Sequence, residues 1–171
     1  MGKIKSTLDL VMERTKDMNM TDQDRERLQV EQNGQKARMW VQRYIDRRMD
    51  VDELRDNLEH HKRIFPGIWG MALKEFAALI DPGKDNAAVV YALEKVFDAD
   101  AQSIRGLLQS CQTELKTQMS RYCDEMISTL NMEGFSGSSL VPNLARNPLW
   151  REYAGQARRD LQDRVRSVID N

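Results

Sequence analysis

The chain has 171 residues and a mass of 19.9 kDa, with 40% apolar, 6% aromatic and 31% charged residues. That is one domain's worth of polymer with enough apolar side chains for a core, and nine glycines and four prolines are too few for a collagen-like, disordered or turn-rich protein. Twenty-six basic against 27 acidic residues give a formal net charge of -1, so bulk charge nominates neither nucleic acid nor an anionic membrane as partner.

Ser6 followed by Asp9 forms an N-cap pair opening a helix over residues 7–18, with Leu8, Leu10, Val11, Met12 and Met18 as its apolar positions. Thr21 and Asp24 repeat that signal for a second helix running from about Asp22 to Met49. Its first half carries only Leu28 and Val30 as large apolar residues before Gly34, which predicts a segment that is exposed, frayed or covered by another chain. After Gly34, the positions Ala37, Trp40, Val41, Tyr44, Ile45 and Arg48 step by three and four and place one stripe on the core. Asp50 and Asp52 cap a third helix to about Ile64, with Val51, Leu54, Leu58, His61 and Phe65 inside.

Phe65-Pro66-Gly67 and Asp81-Pro82-Gly83 are turn sequences, in which proline presets φ and glycine is expected to supply positive φ. They bracket an apolar segment over 68–80, which pairs with residues 86–97 as a short buried helical hairpin; a strand at 88–93 is the alternative, for which the chain offers no partner strand. The longest helix starts after Asp100 with Ile104, Leu108, Cys111, Leu115, Met119, Tyr122, Met126 and Leu130 on one stripe. Thirty helical residues span ~45 Å, while a compact chain of this length has a radius of gyration of only ~15–16 Å, so the bundle must be elongated. Residues 131–147, with Gly134, Gly137 and Pro142, read as a flexible connector. Asn147 then caps a last helix with Pro148 at its first position and Trp150, Tyr153, Ala157, Leu161, Val165 and Val168 as its stripe.

No run reaches the ~18 apolar residues of a membrane span, and the most apolar one, 68–80, contains Lys74 and Glu75. The charged opening Met1-Gly2-Lys3 lacks the apolar stretch of a secretory signal, so export is not expected. Cys111 and Cys123 lie in one helix, about 18 Å apart at 1.5 Å per residue, and cannot bridge. Two free thiols and ten methionines fit a reducing cytoplasm.

Signals for chemistry are sparse. His60 and His61 are adjacent, so at most one shares a helix face with Glu53, Asp56 or Asn57, and the residues three before them are Asn57 and Leu58 rather than the glutamates of a di-iron bundle. Gly134-Phe135-Ser136-Gly137-Ser138 lacks the closing glycine of a nucleophile elbow, follows no strand, and has no Gly-Lys-Ser/Thr ending for a phosphate loop. No metal, cofactor or catalytic residue is therefore assigned.

Charge is segregated locally, with Lys36, Arg38, Arg43, Arg47 and Arg48 against Asp46, followed by Asp50, Asp52, Glu53, Asp56 and Glu59 against Arg55; these neighbouring blocks are able to neutralise each other. Trp40 and Tyr44 among arginines have the composition of a base-stacking surface, but the helical spacing favours core and the acidic block repels phosphate. Nucleic-acid binding is thus the third-ranked reading.

The segment Ile4-Lys5-Ser6-Thr7-Leu8-Asp9-Leu10-Val11-Met12-Glu13-Arg14-Thr15-Lys16 resembles the start of a family of small, uncharacterised bacterial all-helical proteins, a domain of unknown function. The resemblance covers residues 4–16, implies a cytosolic bacterial protein, and brings no catalytic or binding residues with it.

The sequence thus predicts a single all-α domain over 1–171, an elongated bundle of six to seven helices with a core built by the 68–97 hairpin, the long helix and the C-terminal helix. Interaction is the favoured function: residues 7–35 are expected to pack on a second copy, making a dimer, or on another protein. The competing reading is a small-ligand site or enzyme with a pocket among Trp40, Tyr44, His61, Trp69 and Tyr91.

Overall fold

A computed structural model describes residues 21–135, 137 and 141–169, and every regular element in them is helical. The helix expected over residues 7–18 lies outside the described residues. The elements are α1 (Asp22–Ile45), α2 (Val51–Lys62), α3 (Ile68–Leu79), α4 (Ala87–Phe97), α5 (Ala101–Met132) and α6 (Pro148–Ile169), with a 3-10 turn at Leu144–Arg146.

The starts of α1, α2, α5 and α6 each follow from a local acceptor. Thr21 and Asp24 close a reciprocal capping box, the Asp24 N–H donating to Thr21 Oγ1 (3.2 Å) and the Thr21 N–H to Asp24 Oδ2 (3.1 Å). Asp50, Asp100 and Asn147 accept from backbone N–H groups in the first turns of α2, α5 and α6. The α1 helix runs unbroken through Gly34 but stops at Ile45, short of Met49. Arg47 takes the left-handed conformation (φ 59°), with the Arg48 N–H bonded to Arg43 O (2.8 Å) and the Arg47 N–H to Tyr44 O (2.9 Å). The reversal leaves Arg48 exposed and sends Met49 into the core in its place.

The α3–α4 hairpin is helical on both sides, including residues 88–93. Its glycines act differently from expectation. Gly67 has φ -66°, an ordinary helical value, but a Cβ there would lie 2.8 Å from the Phe65 ring, so close packing selects glycine and not positive φ. The loop is stapled by Asn86, 8% exposed, whose Oδ1 accepts from the Asp81 N–H (3.0 Å) and whose Nδ2 donates to the carbonyls of Asp81 and Lys84 (2.8 Å each). α6 closes the same corner. Gln162 Nε2 donates to Ala78 O and Ile80 O (3.0 Å each), carbonyls at the end of α3, and Arg158 pairs with Asp81 (3.3 Å).

Packing separates a body from an arm. α1 packs chiefly on α3, α2 covers α3 and α4, α4 packs on α5, and α6 lies on α5 and α3. The core comprises Ala37, Val41 and Met49, Leu54 and Leu58, Ile68, Ala72, Phe76 and Ile80, most of the inner face of α4, and Leu161 and Val165 of α6. It therefore draws on α1 and α2 as well as on the hairpin, while α5 contributes only as far as Cys111. Leu115 still packs half-buried against the core, and Met119, Tyr122, Met126 and Leu130 continue the stripe beyond it, but none of the five is buried. At 1.5 Å per residue the 32-residue α5 is ~48 Å long, so the bundle is elongated. The connector is shorter than the sequence suggested: α5 persists to Met132, ends in a left-handed Gly134 (φ 90°) with the Phe135 N–H on Leu130 O (3.0 Å), and the 3-10 turn occupies Leu144–Arg146.

Candidate interaction surface

Helix α1 leaves the body at Asn33. From Asp22 to Gln32 every residue is exposed, Leu28 and Val30 at 42% and 44%, whereas Asn33 is only 7% exposed. A buried amide needs its hydrogen bonds, and Asn33 has them: Nδ2 donates to Gln29 O (2.7 Å) and Oδ1 lies 2.6 Å from His61 Nε2. With the amide nitrogen committed to Gln29, Oδ1 is the acceptor facing the ring, so His61 carries its proton on Nε2. The same ring meets Trp40 edge to face, with centroids 5.6 Å apart. Burial, followed by the nearby charges of Lys36 and His60, holds His61 below the ordinary histidine pKa and favours the neutral ring. His61 thus clamps the last turn of α2 to the point where α1 becomes free.

The five residues expected to line one pocket divide among separate neighbourhoods. Trp40 and His61 belong to the clamp. Tyr44 packs edge to face on Phe76 (5.9 Å), and its hydroxyl donates to Ala88 O (3.0 Å). Trp69 packs on Phe97 (5.1 Å), with Lys62 Nζ over its ring at 4.7 Å. Tyr91 points outward, 45% exposed, with Lys95 Nζ 6.0 Å from its ring. Helical spacing correctly set Trp40, Tyr44 and Trp69 against the core, but the Tyr44 hydroxyl and the rings of all three are taken up by internal partners, and none of the clefts described below is lined by more than one of the five.

The more enclosed clefts are small. One of about 180 Å³ lies between α5 and α6, lined in part by Cys111, Glu114, Tyr153, Asp160 and Arg164; another of about 100 Å³ lies between α3 and α6. Both fall below the ~300–1,000 Å³ typical of small-molecule sites. In the larger, Tyr153 donates to Glu114 Oε1 (3.0 Å), and burial together with Glu114 pushes the Cys111 thiol up, away from the reactive thiolate. Among the described residues no cluster of three or more His, Cys, Asp or Glu side chains is arranged to hold a metal ion.

The two charge blocks meet along an open hollow lined by Arg47, Arg48, Asp50 and Glu53, yet no ion pair among the described residues joins them. Arg38 instead reaches α3 and forms a two-pronged contact with Glu75 Oε1 (3.0 and 3.2 Å). Sequence reasoning missed both buried amides, Asn33 and Asn86. The only signal for Asn33 was a polar residue where the stripe through Ala37 and Val41 extends one turn back. No described helix is long and apolar enough to cross a membrane. No protein-family model, curated protein or solved structure matches this chain.

Proposed function

We propose that the chain is a non-catalytic helical interaction module, and that residues 7–35 are the segment that docks on another polypeptide, either a second copy or a different protein. One observation carries this reading: α1 continues outward from the Asn33–His61 clamp as a capped helix whose residues Asp22–Gln32 are all exposed. Isolated helices shorter than ~12–15 residues are marginal in water, because most helical stability in proteins comes from tertiary packing of one face. The stripe that enters the core at Asn33, Ala37 and Val41 extends back along α1 to Val30, Arg27, Glu26 and Gln23, which line an open hollow. A partner helix laid along that stripe supplies the missing packing. The reading places the chain in the cytoplasm, where its two free thiols stay reduced, and the resemblance of residues 4–16 suggests a bacterial source.

The test compares the full chain, a chain lacking residues 1–20, and Leu28→Glu/Val30→Glu by light scattering and thermal melting. Loss of assembled mass or of thermal stability in the variants supports the reading. Unchanged mass and unchanged melting in both variants overturn it.

A further inference from the structure

The chain changes direction at the start of α1. Thr21 is extended (φ -63°, ψ 159°), and its side chain and N–H are both taken up by the capping box with Asp24, so no helix before it runs on into α1. The helix expected over residues 7–18 is joined to α1 by residues 19–21, and connections this short set consecutive helices antiparallel and side by side. What such a helix meets is the uncovered side of α1. At ~100° per residue, Gln23, Glu26, Val30 and Gly34 lie on the side from which Ala37 and Val41 enter the core. A Cβ at Gly34 would meet nothing within 4 Å, and glycine inside a helix costs ~1 kcal/mol relative to alanine, so the described body gives no reason for glycine there. A second helix crossing at that point does, because a missing side chain lets two backbones approach closely. Residues 7–18 have a face to match: Leu8, Val11, Thr15 and Met18 are spaced by three, four and three. Residues 7–18 and 22–33 are also equally long, ~18 Å each at 1.5 Å per residue.

We infer that, without a partner, residues 7–18 fold back antiparallel along the 23–34 stripe of α1, and that opening of this hairpin at residues 19–20 offers both stripes to another polypeptide. Pairing about the 19–21 turn sets Met18 beside Gln23, Val11 beside Val30 and Leu8 beside Gly34. It also brings Arg14 within reach of Glu26, which has no ion pair with another described residue. Tethering selects this occupant. A helix on so short a connection is held at an effective concentration on the order of mM, which gives it a ~1,000-fold advantage over the same helix of a second copy at micromolar concentration. A docking partner has to exceed that advantage, so the closed hairpin regulates the segment over residues 7–35. The regulatory role rests on the docking reading, whereas the fold-back does not.

The test introduces Val11→Cys and Val30→Cys into the full chain carrying Cys111→Ala/Cys123→Ala, with far-UV circular dichroism as a control for fold. The chain is treated with a bismaleimide spanning about the 8–10 Å between packed helix axes, and the product is read by mass spectrometry. The expected result is a link within one chain, formed at a rate independent of protein concentration. Adding Leu8→Glu is expected to slow that link ~10-fold or more, because a carboxylate in the paired face opens the hairpin. The absence of a link, links only between chains, or a link that forms equally fast with Leu8→Glu overturns the inference. Light scattering on the same samples separates the two readings. A chain that assembles but forms no internal link strikes the fold-back alone, and assembly that survives the internal link strikes the regulatory role.

Discussion

His61→Ala tests the clamp between α1 and α2 and the pH dependence it confers. The substitution removes the 2.6 Å bond to Asn33 and the edge contact with Trp40, and leaves Asn33 Oδ1, on a residue only 7% exposed, without its partner. An unsatisfied buried acceptor costs ~1–3 kcal/mol, and the aromatic contact adds ~0.5–1 kcal/mol, so the expected loss is about 2–3 kcal/mol. At ~2–4 °C per kcal/mol for a chain of this size, melting falls by ~5–10 °C. Adding Asn33→Leu recovers part of that loss, since no orphaned oxygen remains. The pH dependence follows from the lowered pKa. The folded state binds the His61 proton less readily than the unfolded chain, so this contribution is complete above the unfolded histidine pKa of ~6.5 and is lost as pH falls through that value toward the folded one. Urea unfolding followed by circular dichroism at about pH 7.5 and about pH 5.5 reads this step above the carboxylate range of ~4. The reasoning fails if His61→Ala is as stable as the parent, or keeps the parent's full loss of stability between those two pH values.

Phe76 is fully buried between Tyr44 and Phe97, so Phe76→Ala should cost ~3–5 kcal/mol in denaturant melts, and a loss under about 1 kcal/mol would contradict a close-packed core there. Asn86→Ala removes three hydrogen bonds from the α3–α4 loop and should cost ~2–4 kcal/mol; Asn86→Asp, which places a carboxylate oxygen against the Asp81 and Lys84 carbonyls on a residue only 8% exposed, should destabilise at least as much. Arg47→Gly relieves a non-glycine residue held at φ 59° and should raise stability by ~0.5–1 kcal/mol, measured as a shift in urea midpoint; a loss of stability would mean that the side chain contributes more than the strain.

What the sequence determined by itself was set by interactions between residues a few positions apart. Helix starts at Asp22, Val51, Ala101 and Pro148 follow from Thr21, Asp50, Asp100 and Asn147, whose side chains bond N–H groups two or three residues ahead. The stripes at three- and four-residue spacing on α1, α2, α4 and the first part of α5 point inward for the same reason, since helix geometry alone puts them on one side. Tertiary structure decided which parts of each stripe are covered. α5 keeps one apolar rhythm from Ile104 to Leu130, yet burial stops at Cys111, because coverage depends on where α4 and its loop end and not on the helix itself. The division of the five aromatic and histidine candidates, the choice of glycine at position 67 by the Phe65 ring, and the Asn33–His61 bond across 28 positions belong to the same class. A buried polar atom is satisfied only by whatever the fold brings within hydrogen-bond distance, and that distance is not written in the local pattern.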